Sequence, residues 1–205
     1  VNLARLRDRL GYQGTLLGVV VLFTSAALAL AARVTGPEIA AAEARDLRQS
    51  LTRVLPEGFD NDPLDDRLTL HTPDGDLTVY RARRAGRVEA VVYRVVGKGY
   101  AGPIVAIMGV DRDGRVIGVR VLRHTETPGL GDRIEPAKAD WIHGFAGKSL
   151  GQPAPEHWAV KKDGGVFDQF AGATITPRAL VRAVREGLEL FSRERARLLD
   201  EEVAT

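Results

Sequence analysis

Hydrophobic and polar positions along this chain of 205 residues fall into three successive patterns. The first is unbroken. From Thr15 to Ala32 the sequence TLLGVVVLFTSAALALAA carries no charge. As a helix it is about 27 Å long, close to the hydrocarbon thickness of a bilayer. No polar face interrupts it, which argues against a core helix. Ala27-Leu28-Ala29 and Ala29-Leu30-Ala31 also fit the cleavage site of a signal peptide. An uncleaved transmembrane helix over 15–33 is the expectation, preceded by a short N-terminal segment over 1–14.

The second pattern has a helical period. From Pro37 to about Val54 the apolar positions Ile39, Ala42, Leu47, Leu51 and Val54 fall roughly on one face. That describes a stalk helix or an ordinary packing helix. Prolines and aspartates then follow, so 56–75 reads as loop, and 34–75 as stalk helix and loop.

The third pattern alternates. Leu77–Arg83 and Val88–Val96 flank Arg84-Ala85-Gly86 and predict a hairpin. Pro103–Gly109 and Arg115–Arg123 flank Asp111-Arg112-Asp113-Gly114 and predict a second. A short helix around Trp141 is expected over 136–146, and a strand over Trp158–Val160. Thr176 looks like an N-cap with Pro177 as the first helical residue. The helix then runs to about Leu199 on an apolar stripe of Leu180, Val181, Val184, Leu188 and Phe191. Hairpins with flanking helices make an α+β domain over 76–199, with a tail over 200–205.

Composition narrows the chemistry. With 44% hydrophobic and 27% charged residues a packed core is expected. A net charge of +2 gives no electrostatic case for nucleic-acid binding. Cysteine is absent, which excludes cysteine-held iron–sulfur clusters, covalent c-type haem, disulfides and thiol catalysis. The four histidines lack metal-ligand spacing, so no metal site is expected. Arg5, Arg7 and Arg9 precede the apolar run, whereas Glu38 and Glu43 follow Arg33 after it. By the positive-inside rule the N-terminus is cytoplasmic and the domain lies outside.

Four stretches carry candidate chemistry. In Gly97-Lys98-Gly99-Tyr100-Ala101-Gly102 the glycines permit close backbone approach to a ligand, or simply a flexible connection; no helix follows, so it is not a dinucleotide fingerprint. His124-Thr125-Glu126-Thr127-Pro128-Gly129-Leu130-Gly131 is a turn whose amides and hydroxyls suit the edge of a planar heterocycle, or a decorated turn alone. Lys161-Lys162-Asp163-Gly164-Gly165 offers cations to an anion, or is a solvated turn. Last comes Phe167-Asp168-Gln169-Phe170-Ala171-Gly172-Ala173-Thr174-Ile175-Thr176-Pro177. Small residues leave the Thr174 hydroxyl uncrowded, and a phosphate there would meet a helix start. Two threonines before a proline would equally serve as caps.

Together these stretches resemble the G subunit of the Rnf ion-translocating electron-transport complex, and the chain is more distantly similar to the C subunit of the sodium-pumping NADH:quinone reductase. The resemblance implies FMN joined through its phosphate to a threonine in the pattern Asp-x-x-(Ser/Thr)-Gly-Ala-Thr. It falls on Asp168, Gly172, Ala173 and the acceptor Thr174; Ala171 replaces the hydroxyl residue. Further FMN contacts are expected from Glu126, Thr127, Pro128, Gly129, Leu130, Gly131, Tyr100, Thr176 and Lys161 or Lys162. A flavin transferase would cleave FAD, leave FMN on Thr174 and release AMP, with Asp168 either read by that enzyme or orienting the threonine. The chain would be an electron carrier and one component of a translocase, not catalytic alone. Its expected partners are the other subunits of a complex that couples electron transfer between ferredoxin and NAD to ion translocation, and the lipid bilayer. The expected location is the bacterial inner membrane, with the FMN domain periplasmic. A tethered structural or sensory module, or the related quinone-reductase component, is the alternative.

Overall fold

The computed structural model describes residues 10–73 and 75–200. The expected N-terminal segment therefore lies outside the described residues over 1–9, and the tail over 201–205. Contacts divide the chain into two units, one ending at Leu47 and the other beginning at Arg48.

Helix α1 spans Leu10–Thr52 without a break and includes Pro37. The two helical stretches expected from sequence are thus one. Thr15, Thr24 and Thr35 return their hydroxyls to carbonyls one turn back, so each satisfies its own polar group within the helix. Among the described residues this is the one helix long and apolar enough to cross a membrane.

The second unit is built on a five-stranded antiparallel meander in sequence order. It comprises β1 (Arg67–Thr72), β2 (Gly75–Arg84), β3 (Arg87–Lys98), β4 (Pro103–Asp111) and β5 (Val116–Arg123). β1 lies in the stretch expected to be loop. The prolines and aspartates of 56–66 masked the short Leu68/Leu70 alternation, and an edge strand needs only one ladder, here to β2. The β2–β3 turn is tight because Ala85 and Gly86 both take positive φ, at 50° and 80°. Asp60 steadies it by accepting the Ala85 N–H at 2.7 Å. In the β4–β5 turn, Asp111 Oδ1 accepts from the amides of Asp113 and Arg115 at 2.9 and 2.8 Å. The 3-10 turn Asp140–Phe145 replaces the longer helix expected around Trp141. Only an isolated parallel bridge, Val160 to Phe167, forms where a strand was expected at 158–160.

Helix α2 (Ile175–Leu198) covers one sheet face with the stripe its sequence predicts: Leu180, Val181, Val184, Leu188 and Phe191 are buried. Gly187 lets the helix come close, since a Cβ there would lie 2.5 Å from Met108 Sδ and 2.8 Å from Val95. The buried Tyr93 hydroxyl donates to Gly187 O at 2.8 Å, and burial pushes that phenol's pKa up. The opposite face receives the chain just after α1. A Cβ on Gly109 would stand 1.8 Å from Val54 O, and the paired Gly118 widens the same landing. Below the loop that leads to α2, aromatic rings stack from Trp158 through Phe167, Phe145 and Trp141 to Phe170.

Near the end of the described chain, Arg81 and Arg83 are shared by Asp66 and Asp200. Burial alone would raise the Asp66 pKa, but hydrogen bonds from Arg83 and Arg81 outweigh it and hold the carboxyl below its ordinary value. The folded pKa is depressed, so the contribution is full above the unfolded value of about 3.9 and is lost as pH falls from there through the folded value. Asp66→Asn therefore lowers the neutral-pH melting temperature and flattens its decline below about pH 4, as thermal melts across pH will read. Gly109→Ala forces a Cβ into the Val54 carbonyl and should destabilise the domain by ~3 kcal/mol in urea unfolding.

Candidate functional site

Three segments distant in sequence meet at one carboxylate. Glu126 is 5% exposed. Its Oε1 accepts the Ala101 N–H at 3.0 Å, and its Oε2 accepts the Thr176 hydroxyl in a short hydrogen bond. The β3–β4 turn, the 124–131 turn and the start of α2 are thereby joined. Burying a carboxylate without partners is costly, so these two donors are what permit it here.

Each segment is shaped to reach that point. β3 runs directly into β4 through a compact turn closed by Gly99 N–H to Gly102 O at 2.9 Å, tighter than a flexible connection. A Cβ on Gly99 would lie 2.4 Å from Glu126 Oε1, and one on Gly102 2.5 Å from Thr125 Oγ1. The Thr125 hydroxyl in turn donates to Ala101 O at 2.9 Å. In the second turn, Thr127 O accepts from the amides of Leu130 and Gly131 at 3.1 and 3.0 Å, with Pro128 and Gly129 exposed at its tip. The Glu126 amide donates to His124 Nδ1 at 3.1 Å. That leaves the ring proton on Nε2, which faces Glu135 Oε1 at 2.8 Å.

The third segment holds the candidate acceptor. Thr174 occupies the position before α2 with helical angles, φ −77° and ψ −24°, and its side chain makes no capping hydrogen bond. It is half-buried. The expected cap, Thr176, is instead inside the helix and fully buried, and Pro177 is its third residue. The local pattern of threonine before proline pointed to a cap; a glutamate fifty residues away claims that hydroxyl. The first turn of α2 carries no acidic side chain. Gly172, at φ +80°, turns the chain just before Thr174, and a Cβ on it would lie 3.1 Å from Leu130. The 127–131 turn and the Gly172–Thr174 segment are therefore neighbours.

Lys161, Lys162 and Asp168 form a separate flank. Lys161 Nζ meets Asp168 Oδ1 at 2.6 Å on the surface, and the Lys162 amide donates to Gln169 Oε1 at 3.3 Å. Trp141 pins the same loop: its indole N–H donates to Asp168 O at 2.7 Å and its ring meets Phe170 edge-on. Nothing in the sequence around Trp141 points to this role. Arg178, one turn into α2, makes two hydrogen bonds to Asp163, at 2.6 and 2.7 Å, which hold that carboxyl below its ordinary pKa. Tyr100 is 74% exposed at the tip of the β3–β4 turn.

Residues 127–130 are exposed around the half-buried Thr174. A cleft of about 830 Å³ lies between the β1–β2 end and the later turns of α2, and contains neither Thr174 nor any of residues 126–131. A smaller one of about 420 Å³ reaches Lys98, Asp163, Ile175 and Arg178 but not Thr174.

Known proteins agree with this geometry at the level of class. Residues 99–189, which contain all three joined segments, match the family model of the FMN-binding domain. Over 188 residues the chain is 55% identical to the G subunit of the ion-translocating oxidoreductase complex of Cereibacter sphaeroides, covering 91% of this chain and 86% of that one. It is 47% identical to the same component of the complex from Stutzerimonas stutzeri, over 92% and 83%. With that of Pseudomonas aeruginosa identity is 48%, over 92% of both. The chain belongs to the family formed by the G subunits of Rnf-type ion-translocating oxidoreductase complexes. A crystal structure of Shewanella oneidensis NqrC aligns over 73% of each chain at 24% identity with a TM-score of 0.49, too loose a likeness to argue from.

Gly131 is where the three segments close. A Cβ there would lie 2.8 Å from Glu126 Cβ and 2.9 Å from Thr176 Oγ1. Gly131→Ala should cost ~2 kcal/mol in urea unfolding, because neither neighbour can retreat without losing a hydrogen bond.

Proposed function

We propose that the chain is a membrane-anchored electron carrier, one component of a larger complex, that holds FMN covalently on Thr174. One observation carries the choice of residue. At the start of α2 two threonines stand close together, and the Thr176 hydroxyl is buried and spent on Glu126, whereas the Thr174 side chain makes no capping bond. The helix start also lacks an acidic side chain in its first turn. A phosphoester on Thr174 would bring charge to free N–H groups at the positive end of the helix dipole, so the residues present suit the group.

Attachment would proceed by attack of Thr174 Oγ on the phosphorus of the FMN half of FAD. A P–O bond to Thr174 forms, the bond to the bridging pyrophosphate oxygen breaks, AMP leaves with that oxygen, and the hydroxyl proton passes to a base on a flavin transferase. This chain's part is to present the hydroxyl. Asp168 and Lys161, paired on the exposed flank, are then available to be read by that enzyme.

When bound, the flavin supplies reversible electron acceptance and donation. Residues 127–131, Gly172 and Ala173 would border it, Tyr100 of the β3–β4 turn would cover a ring face, and Lys161 or Lys162 would stand near its phosphate or pyrimidine edge. α1 anchors the domain in the bacterial inner membrane with the N-terminus cytoplasmic and the FMN domain periplasmic. The other members of the complex, working between ferredoxin and NAD, would exchange electrons with it while ions cross the membrane. The names of the relatives support the complex, and the matched FMN-binding domain supports the cofactor.

Thr174→Ala should abolish flavin fluorescence of the chain on denaturing gels, while leaving its melting temperature within a few degrees of wild type. Full fluorescence in that variant would remove Thr174 as the acceptor.

A further inference from the structure

We infer that Glu126 is the positioning residue for the acceptor hydroxyl, acting through Thr176; this rests on the reading of Thr174 as the site of attachment.

Thr174 precedes an uncapped helix, and nothing in its own side-chain bonding fixes where it stands. Its position is inherited from its neighbours on both sides. On the loop side, Trp141 holds Asp168 O and packs on Phe170, and the Ala173 amide returns to Phe170 O at 3.2 Å. On the helix side, Arg178 is tied to Asp163 at the surface, and the buried polar anchor is Thr176, held by Glu126. Thr174 thus hangs between these anchors, of which the Thr176–Glu126 bond is the buried one.

The Glu126 pin is built for this. Its carboxylate lies among backbone that leaves room only for it: a side-chain carbon on Gly99 would come within 2.4 Å of one oxygen, and one on Gly131 within 3.1 Å of the other. Its two oxygens have different tasks. Oε1 ties it to the β3–β4 turn through Ala101, and Oε2 ties it to α2 through Thr176. Its amide is held by His124, itself facing Glu135. The carboxylate therefore sets the distance between the helix start and the two turns bordering the flavin surface. The same bond occupies the competing Thr176 hydroxyl. Displacing a reacting oxygen by about 1 Å costs up to about a hundredfold in rate, so loss of this pin slows attachment even where the fold survives.

The test uses the full-length chain co-expressed with a flavin transferase, with FAD as donor. Covalent flavin is followed by in-gel fluorescence against time, normalised to folded protein. Amide exchange over 172–180 and melting temperature are measured on the unflavinylated chain. Glu126→Ala should lower the initial rate at least about tenfold and speed exchange at the helix start. Glu126→Gln should stay within about threefold of wild type, because its oxygen still accepts from Ala101 and its amide can donate to the Thr176 hydroxyl. Thr176→Val removes the bond while keeping Glu126 and should slow attachment in the same direction; it leaves one oxygen of the buried carboxylate without a donor, so the melting temperature falls as well and rates are compared per folded protein. Wild-type rates in Thr176→Val or in folded Glu126→Ala would overturn the inference, even if melting temperatures fell. Thr174→Ala run alongside separates the two ideas: persistent labelling there defeats the acceptor assignment, whereas no labelling there with wild-type rates in the other variants defeats only the role of Glu126.

Discussion

The second unit depends on a polar bond placed where an apolar contact would ordinarily stand. Glu126 is buried, and its carboxylate is the point where a strand turn, a second turn and a helix start are held in register. An apolar side chain there could fill the space but could not satisfy the Ala101 amide or the Thr176 hydroxyl. Because both donors are directional, the bond specifies relative placement as well as proximity. The placement of these three segments is thus held by a buried hydrogen-bonded group, beneath a rim of exposed residues at 127–130.

Behind that point, the sheet is fitted closely on both faces. Gly187 admits α2 onto β3 and β4, and Gly109 with Gly118 admits the chain after α1 onto β4 and β5. Adjacent residues of β4 serve opposite layers: Met108 faces Gly187 and Gly109 faces Val54. The aromatic chain under the 167–174 loop supplies a firm base near the site's lower flank, and Trp141 adds the one indole hydrogen bond that reaches the loop backbone. An electron carrier gains from this arrangement, since a rigid support keeps the cofactor surface in one place while its outer side stays reachable.

Much of the architecture was legible along the chain. The hairpins, the apolar stripe of α2 and the long N-terminal helix follow from local periodicity, which is a property of neighbouring residues. β1 was missed because a six-residue edge strand beside prolines and aspartates has little periodic signal. The merger of two helical stretches at Pro37 was missed because a proline reads locally as a start. The site divided the same way. Thr174, Gly172 and the 126–131 turn stood out by residue type and spacing. The part played by Trp141, and the fate of the Thr176 hydroxyl, left no local trace.

By itself the sequence determined the class: an apolar helix, an α+β domain, and small residues around a threonine at a helix start. Those are set by hydrophobic period, turn chemistry and spacing, all short in range. Only the tertiary structure decided which of two nearby threonines has its hydroxyl buried and occupied. That choice is made by Glu126, fifty positions away in the chain. A hydrogen bond across that separation exists only once the sheet has brought the turn and the helix together.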